Sequence, residues 1–454
     1  MELIMTLVMF ALLIWGLKKK IVLPTLMLGI SLIGLAYLTI IHGSLLGDKT
    51  SGNAIVDIFE YIAQFLTSTV GGIVLIIMVV IAYLEVMNKI KASEMLAVLI
   101  SGLLKGIRKP YLLAALVIAV GALFRIAITS APPAAALLIA TLFPVLIKSR
   151  CSVPTAAFAM IACGVFTWGP ADSTNLTALS LMGLQNTNMT NWFVQMQVPL
   201  ILTYLLIMAV TFVITAKIFD KSEKAATNAE YGESLSAADL NVPKIYAILP
   251  FLPVILLFVF SPLAIKSIKF SIMGAILVSL LVTLVVHLIG KKNAGSIAEV
   301  MGAFYSGLGD TFKGLGVLII FAMLFASVLN QIGGMKIIAE TLGGLSVPPL
   351  VLVLFIVAFT ALMTMIVGSF FGALSVMAPL ALNIATTAGI NPLFVCFMVV
   401  TACGAGGLCS PVNPTVVLVS DRCKIDILHL IKRTAIPVWI GLIGTTLIGF
   451  VMFG

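Results

Sequence analysis

The chain has 454 residues, 61% of them hydrophobic and only 9% charged, with a net charge of +9. A soluble chain carries about 25% charged residues, so the composition excludes a soluble enzyme or nucleic-acid binder and indicates a polytopic α-helical membrane protein. Strand-like alternation is absent, which argues against a membrane barrel, and the excess Lys and Arg fall in short loops, as the positive-inside bias requires.

In chain order, apolar windows predict spans near 2–17, 21–41, 69–88, 193–216, 245–264, 269–290, 313–332 and 432–453. Two more complicated blocks lie at about 110–185 and 347–420. The first window precedes Lys18, Lys19 and Lys20, whereas a signal peptide carries its charges ahead of the apolar run, so it is read as a span. The polar stretch 221–244 reads as a linker between two halves, 1–220 and 245–454.

Basic loops set the orientation. Lys18–Lys20, Lys89, Lys91, Lys105, Arg108, Lys109, Lys148, Arg150, Lys217, Lys221, Lys224, Lys244, Lys291, Lys292, Arg422, Lys424, Lys432 and Arg433 form one set, placed in the cytoplasm. The opposite set (42–53, 185–191, and the stretches near Lys266, Lys269 and Lys336) is poorer in such charge. Both termini are then expected outside.

The two blocks resemble each other. AITSAPPAAALLIATLFPVL is followed by AFAMIACGVFTWGPADSTNLTALS, and IVGSFFGALSVMAPLALNIA by CFMVVTACGAGGLCSPVNPTVVLVS. The shared Ala-Cys-Gly recurs at an offset of 404 − 164 = 240. The helix ending in MNKI (87–90) likewise matches the one ending in LNQI (329–332). Such duplication fixes architecture. Charge parity makes 110–149 enter and leave on one side, which describes a re-entrant hairpin. The expected fold is therefore all-α with about ten crossings. It has two inverted repeats, each with a hairpin (about 110–149 and 347–388) and a broken helix (about 152–184 and 391–420). This is the organisation of a secondary transporter.

Non-helical backbone at membrane depth is tolerated only where it is buried in protein or lines a watery cavity. Four places read that way: the tips Thr129-Ser130-Ala131-Pro132-Pro133 and Gly368-Ser369-Phe370-Phe371-Gly372, and the breaks Gly169–Asn175 and Ser410–Thr415. Each tip is expected to expose helix N-terminal N–H groups, which receive carboxylates. Each break supplies oxygens for a cation or for substrate. The candidate substrate residues are Arg125, Thr129, Ser130, Ala131, Gly368, Ser369, Asn413 and Thr415. The candidate coupling-ion residues are Asp172, Ser173, Thr174, Asn175, Ser410 and Asn413, with Na⁺ at Asp172 and Asn175 or H⁺ as the ion. For each of these motifs the plain alternative is a helix kink that eases packing.

Arg125, in ALFRIAI, is a fixed cation for a carboxylate, the structural partner of Asp172, or a side chain that snorkels to an interface. Asp172 in turn could bind Na⁺, carry a proton or neutralise Arg125. Asp310 and Lys313 are expected at an interface near the start of a span, and Asn330 and Gln331 at a helix end. The six cysteines and the histidines 42, 287 and 429 read as packing or interfacial residues. There is no Walker, Rossmann or H-E-x-x-H motif and no Ser/His/Asp set, so no enzyme activity and no organic cofactor is expected.

At its hairpins and breaks the chain resembles the ion transporter superfamily. In KPYLLAALVIAVGALF (109–124), LLIATLFPVLI (137–147), YAILPFLPVI (246–255), SPVNPTVVLVSDRCKI (410–425) and IKRTAIPVWIGLI (431–443) it resembles the DcuC family of anaerobic C4-dicarboxylate carriers. The resemblance implies ion-coupled symport or exchange of succinate-, fumarate- or malate-like anions across a bacterial inner membrane, by alternating access, in a homodimer. It departs from the family's tip pattern S-S-A-T-G and break pattern S-P-V-S-G, so that Ser130, Ser410 and Pro411 carry over directly. The alternatives are a carrier of another carboxylate and a cation/proton antiporter of the same superfamily with Asp172 as the exchanging group. A channel fits less well, because the polar residues concentrate at the midplane instead of forming a continuous stripe.

Overall fold

Every regular element among the described residues is helical. The computed structural model describes the chain except for residues 20, 44, 47–49, 105, 108, 224–239, 241, 262–264, 266–269, 292–294, 335–336 and 338–346. Most of the expected linker, several of the charges used for orientation (Lys20, Lys105, Arg108, Lys224, Lys266, Lys269, Lys292 and Lys336) and part of the 42–53 loop lie outside the described residues.

The first half runs through α1 (Glu2–Lys18), α2 (Leu23–His42), α3 (Ala54–Thr69), α4 (Leu75–Lys89), α5 (Ala92–Leu104), α6 (Pro110–Ala127), α7 (Ala131–Lys148), α8 (Val153–Ile161), α9 (Ser173–Leu181), α10 (Met189–Trp192) and α11 (Val198–Glu223). The second runs through α12 (Leu252–Val259), α13 (Ile272–Lys291), α14 (Gly295–Thr311), α15 (Val317–Ile332), α16 (Pro349–Val367), α17 (Phe370–Thr387), α18 (Pro392–Leu408), α19 (Pro414–Cys423) and α20 (Ile427–Phe453). Among the described residues, ten segments are long and apolar enough to cross a membrane.

Several boundaries differ from the sequence reading. The span placed at 69–88 begins at Ala54, because α3 runs into α4 through a π turn at Val70–Val74. The span placed at 313–332 likewise begins in α14, which joins α15 through a π turn at Phe312–Gly316. Glycine clusters there look like helix ends, but a π turn absorbs an extra residue without ending the helix. The two π turns fall at equivalent places, with an offset of 312 − 70 = 242. The continuous apolar spans that result, Ala54–Lys89 and Ile297–Ile332, have 36 residues each, roughly 54 Å at 1.5 Å per residue, longer than an apolar core about 30 Å thick, so each tilts or projects beyond it. Asp310 and Lys313 thus lie at mid-helix, not near the start of a span. The window 245–264 is helical only from Lys244 to Val259, and α5 has no counterpart among the expected spans.

Contacts are reciprocal between the halves. α9 packs on α17 and α19 on α7; α6 packs on α11 and α16 on α20; α4 crosses α14, and α11 pairs with α20. The repeated Ala-Cys-Gly marks where the two broken helices meet, just ahead of their breaks. A Cβ on Gly404 would lie 2.9 Å from the Val165 carbonyl oxygen and 3.3 Å from that of Gly164. Two residues on, a Cβ on Gly406 would overlap the Ala361 carbonyl oxygen of α16, backbone against backbone. Gly406→Val therefore has to push α16 and α18 apart. The expected cost is about 3 kcal/mol or more, seen as a lower thermal midpoint and loss of the monodisperse peak in detergent. An unchanged midpoint would show that this contact does not bear on packing.

A polar clasp ties the halves together. Arg433 of α20 donates to Asp220 of α11 at 2.6 Å, and both side chains are largely buried. The Asp220 carboxylate also accepts from Ser152 at 2.7 Å, from Thr155 at 3.0 Å and from Tyr111 at 3.3 Å. Removing one partner of such a buried pair costs about 3–5 kcal/mol, because the other is left uncompensated.

Candidate functional site

All four non-helical places open on one cavity of ≈ 670 Å³. This is within the usual range for small-molecule sites. Thr129, Ser130 and Ala131 come from the first tip and Gly368 and Ser369 from the second. Ser173 and Thr174 come from the first break, Asn413 and Thr415 from the second, and Arg125 from the last turn of α6. The substrate candidates drawn from distant parts of the sequence are thus brought together. Asp172, Asn175 and Ser410 lie beneath this surface, buried.

The tips are not equivalent. At the second, Gly368 takes φ +70°, the left-handed conformation that glycine adopts without strain. Ser369 then caps α17, its hydroxyl accepting from the Gly372 N–H at 3.1 Å, and the Phe370 and Phe371 N–H groups belong to the unbonded first turn. The first tip departs from the expectation of free N–H groups. Ala131 is followed by Pro132 and Pro133, which have none to offer. The positive charge on that side comes from Arg125.

Arg125 is 2% exposed. Its Nε donates to the Phe166 carbonyl at 2.8 Å and its Nη1 to the Ile128 carbonyl at 2.7 Å. These bonds fasten the first break to the first tip and aim the guanidinium at the cavity. Among the described residues Arg125 and Asp172 form no direct ion pair, although each feels the other's charge across the break.

Asp172 caps α9. Its Oδ1 accepts from the Thr174 and Asn175 N–H groups at 3.0 and 2.9 Å and from the Asn175 amide at 3.2 Å. Asn413 caps α19 in the same way, accepting from the Thr415 N–H at 2.9 Å. The break is held further by Asn175 donating to the Thr167 carbonyl at 3.1 Å and by the Gly169 N–H donating to Gln197 at 3.0 Å. Three buried oxygens in this knot, Thr167 Oγ1, Asp172 Oδ2 and Asn175 Oδ1, have no hydrogen-bond partner.

Glu85 and Asn88 of α4 also line the cavity and were not among the sequence candidates. The available signal was a carboxylate inside an apolar span, which marks a functional position by default. Gln197 is another omission; nothing local in the sequence links it to Gly169.

The sequence model of one family, described as "DcuC: C4-dicarboxylate anaerobic carrier", matches residues 1–454. The probable anaerobic C4-dicarboxylate transporter DcuC of Vibrio cholerae is 28% identical over 402 residues, covering 88% of this chain and 86% of that protein. The anaerobic C4-dicarboxylate transporter DcuC of Escherichia coli K12 is 26% identical over 396 residues, covering 87% and 84%. Among solved structures, the YdaH transporter of Alcanivorax borkumensis shares the fold with a TM-score of 0.63 at 18% identity, over 95% of this chain and 98% of that one. MtrF of Neisseria gonorrhoeae, from a class of antimetabolite efflux pumps, has a TM-score of 0.57 at 15% identity, over 88% and 85%.

Proposed function

We propose, from the premise that the chain belongs to the DcuC family of C4-dicarboxylate anaerobic carriers, that it is a secondary active carrier of succinate-, fumarate- or malate-like dianions. The observation that carries this reading is the single cavity lined by both tips, both breaks and Arg125. One carboxylate pairs with the Arg125 guanidinium, whose planar fork matches it. The other meets the N–H groups at the start of α17, where the helix dipole favours negative charge. Ser130, Ser369, Asn413 and Thr415 supply further hydrogen bonds.

The coupling ion binds beneath, at the first break. Thr167 Oγ1, Asp172 Oδ2 and Asn175 Oδ1 are hard oxygen donors without partners, which suits Na⁺; a proton on Asp172 is the other candidate. Ser173 and Thr174 face the cavity and contact the substrate. Ser410, with its hydroxyl buried and unpartnered, offers a matching position in the second half. The reciprocal contacts and the π turns 242 residues apart support two inverted halves, 1–220 and 245–454, working by alternating access. The basic loops support an inner-membrane location with both termini outside the cytoplasm. A homodimer belongs to the same reading.

Reconstituted protein is expected to give saturable counterflow of labelled fumarate or succinate. Absence of counterflow with either acid would end the dicarboxylate assignment. The same unpartnered oxygens favour one second reading, a cation/proton antiporter. Na⁺-driven proton movement without any organic anion would select it.

A further inference from the structure

The cavity has one wall whose chemistry runs against its anionic substrate. α4 contributes Ile81, Leu84, Glu85 and Asn88 to it, and the Glu85 side chain is exposed there. Among the described residues, the charged side chains lining the cavity are Arg125 and Glu85. Glu85 has no hydrogen bond or ion pair with another described residue. Lys89, one turn further along α4 and suitably spaced to neutralise it, is bridged instead to Glu299 of α14 at 3.5 Å. Asp310, facing the same region from α14, adds negative charge.

A second cavity of ≈ 530 Å³ adjoins the first and shares Ile81, Glu85 and Leu315 with it. It continues past Ser306 and Asp310 to Lys89, the residue that ends α4 on the basic side of the protein. Water reaching this path has access to the Glu85 carboxylate. The close crossing of α4 and α14 fixes the geometry: a Cβ on Gly307 would lie 2.8 Å from the Ala82 Cα and 3.2 Å from the Glu85 Cγ.

When Glu85 is ionised it cancels Arg125, and a dianion enters a cavity whose side chains carry no net charge. With a proton on Glu85, Arg125 is left uncompensated and the repulsion from the α4 wall disappears. We infer that Glu85 is a proton-binding residue of the transport cycle. Its carboxylate takes up one proton from water in the second cavity as the dianion occupies the first, and returns that proton when the dianion leaves. This inference rests on the dicarboxylate reading and adds a second ionic group to the coupling site at Asp172.

The test uses purified full-length protein and fumarate, a stronger acid than succinate that stays a dianion from mildly acidic to mildly alkaline pH. Wherever the free protein lacks this proton and the fumarate complex carries it, linkage of one proton to binding makes fumarate affinity fall about tenfold per pH unit. Wild type and Glu85→Asp should show this slope, and Glu85→Gln should bind fumarate with a flat profile. Wild-type protein mixed with fumarate in weakly buffered medium should take up protons, and E85Q should not. The inference is overturned if wild-type binding is flat with pH, if E85Q keeps the wild-type slope, or if folded E85Q binds no fumarate. Should E85Q fail to fold, D172N decides: proton uptake that persists in D172N supports Glu85, and uptake that vanishes there overturns the inference. If wild type binds no dicarboxylate at any pH, the dicarboxylate reading itself falls, an outcome distinct from a pH-independent carrier.

Discussion

Replacing Arg125 with alanine should weaken fumarate binding by about 3 kcal/mol, a little over a hundredfold, and reduce counterflow accordingly at subsaturating substrate. The size of the effect follows from burial. Arg125 is 2% exposed and the cavity wall is mostly apolar, so the carboxylate left behind loses its countercharge where water replaces it poorly. Alanine also strands the Phe166 and Ile128 carbonyls, to which Arg125 donates, so part of its loss is structural. Arg125→Gln separates the two effects, because its amide can still donate to a carbonyl while the charge is gone. Arg125→Lys keeps the charge but loses the fork, and should fall between wild type and glutamine. Affinity is read from the thermal midpoint against fumarate concentration, since a ligand that binds only folded protein raises it. Wild-type fumarate affinity in R125Q would remove Arg125 from the site.

The features most legible in the sequence were those that conflict with a lipid environment. Prolines, glycines and hydroxyls inside apolar runs marked both tips and both breaks, because such groups are tolerated at that depth only around a cavity. The Ala-Cys-Gly repeat was visible too, and its physical reason is the backbone contact between Gly404 and Val165. Apolar windows alone misplaced the starts of two spans, at 69 and 313, beside the π turns at 70–74 and 312–316. Glycine next to a hydroxyl or a charge marks a π turn as readily as a helix end, and only the packing of α4 across α14 tells them apart. Glu85 stands four residues before a lysine at a helix end, a spacing that suits a local pair, but the structure gives that lysine to Glu299 instead. The Arg433–Asp220 clasp joins residues 213 apart in sequence, a separation at which a single sequence offers no pattern.

The largest effect on coupling should come from Asp172→Asn, and the second half of the protein supplies the reason for choosing asparagine. Asn413 stands at the equivalent position, 413 − 172 = 241 residues on, and caps α19 through the bond that Asp172 makes to α9. Asparagine and aspartate cap helices about equally, whereas loss of a cap costs ~1 kcal/mol. D172N should therefore fold with a thermal midpoint close to wild type, while D172A should lose stability by about that amount. What asparagine cannot supply is the negative charge beside Thr167 Oγ1 and Asn175 Oδ1, the oxygens without partners. If Na⁺ binds there, raising Na⁺ from well below to about a hundred times its dissociation constant stabilises wild type by roughly 2.7 kcal/mol. That increment should vanish in D172N, together with Na⁺-driven fumarate uptake, while passive counterflow of fumarate against fumarate persists. If a proton is the ion, wild type shows no Na⁺ increment, and D172N loses uptake driven by a pH gradient instead. Retention of both gradient responses in folded D172N would place the coupling ion elsewhere, because no other charged side chain belongs to this break.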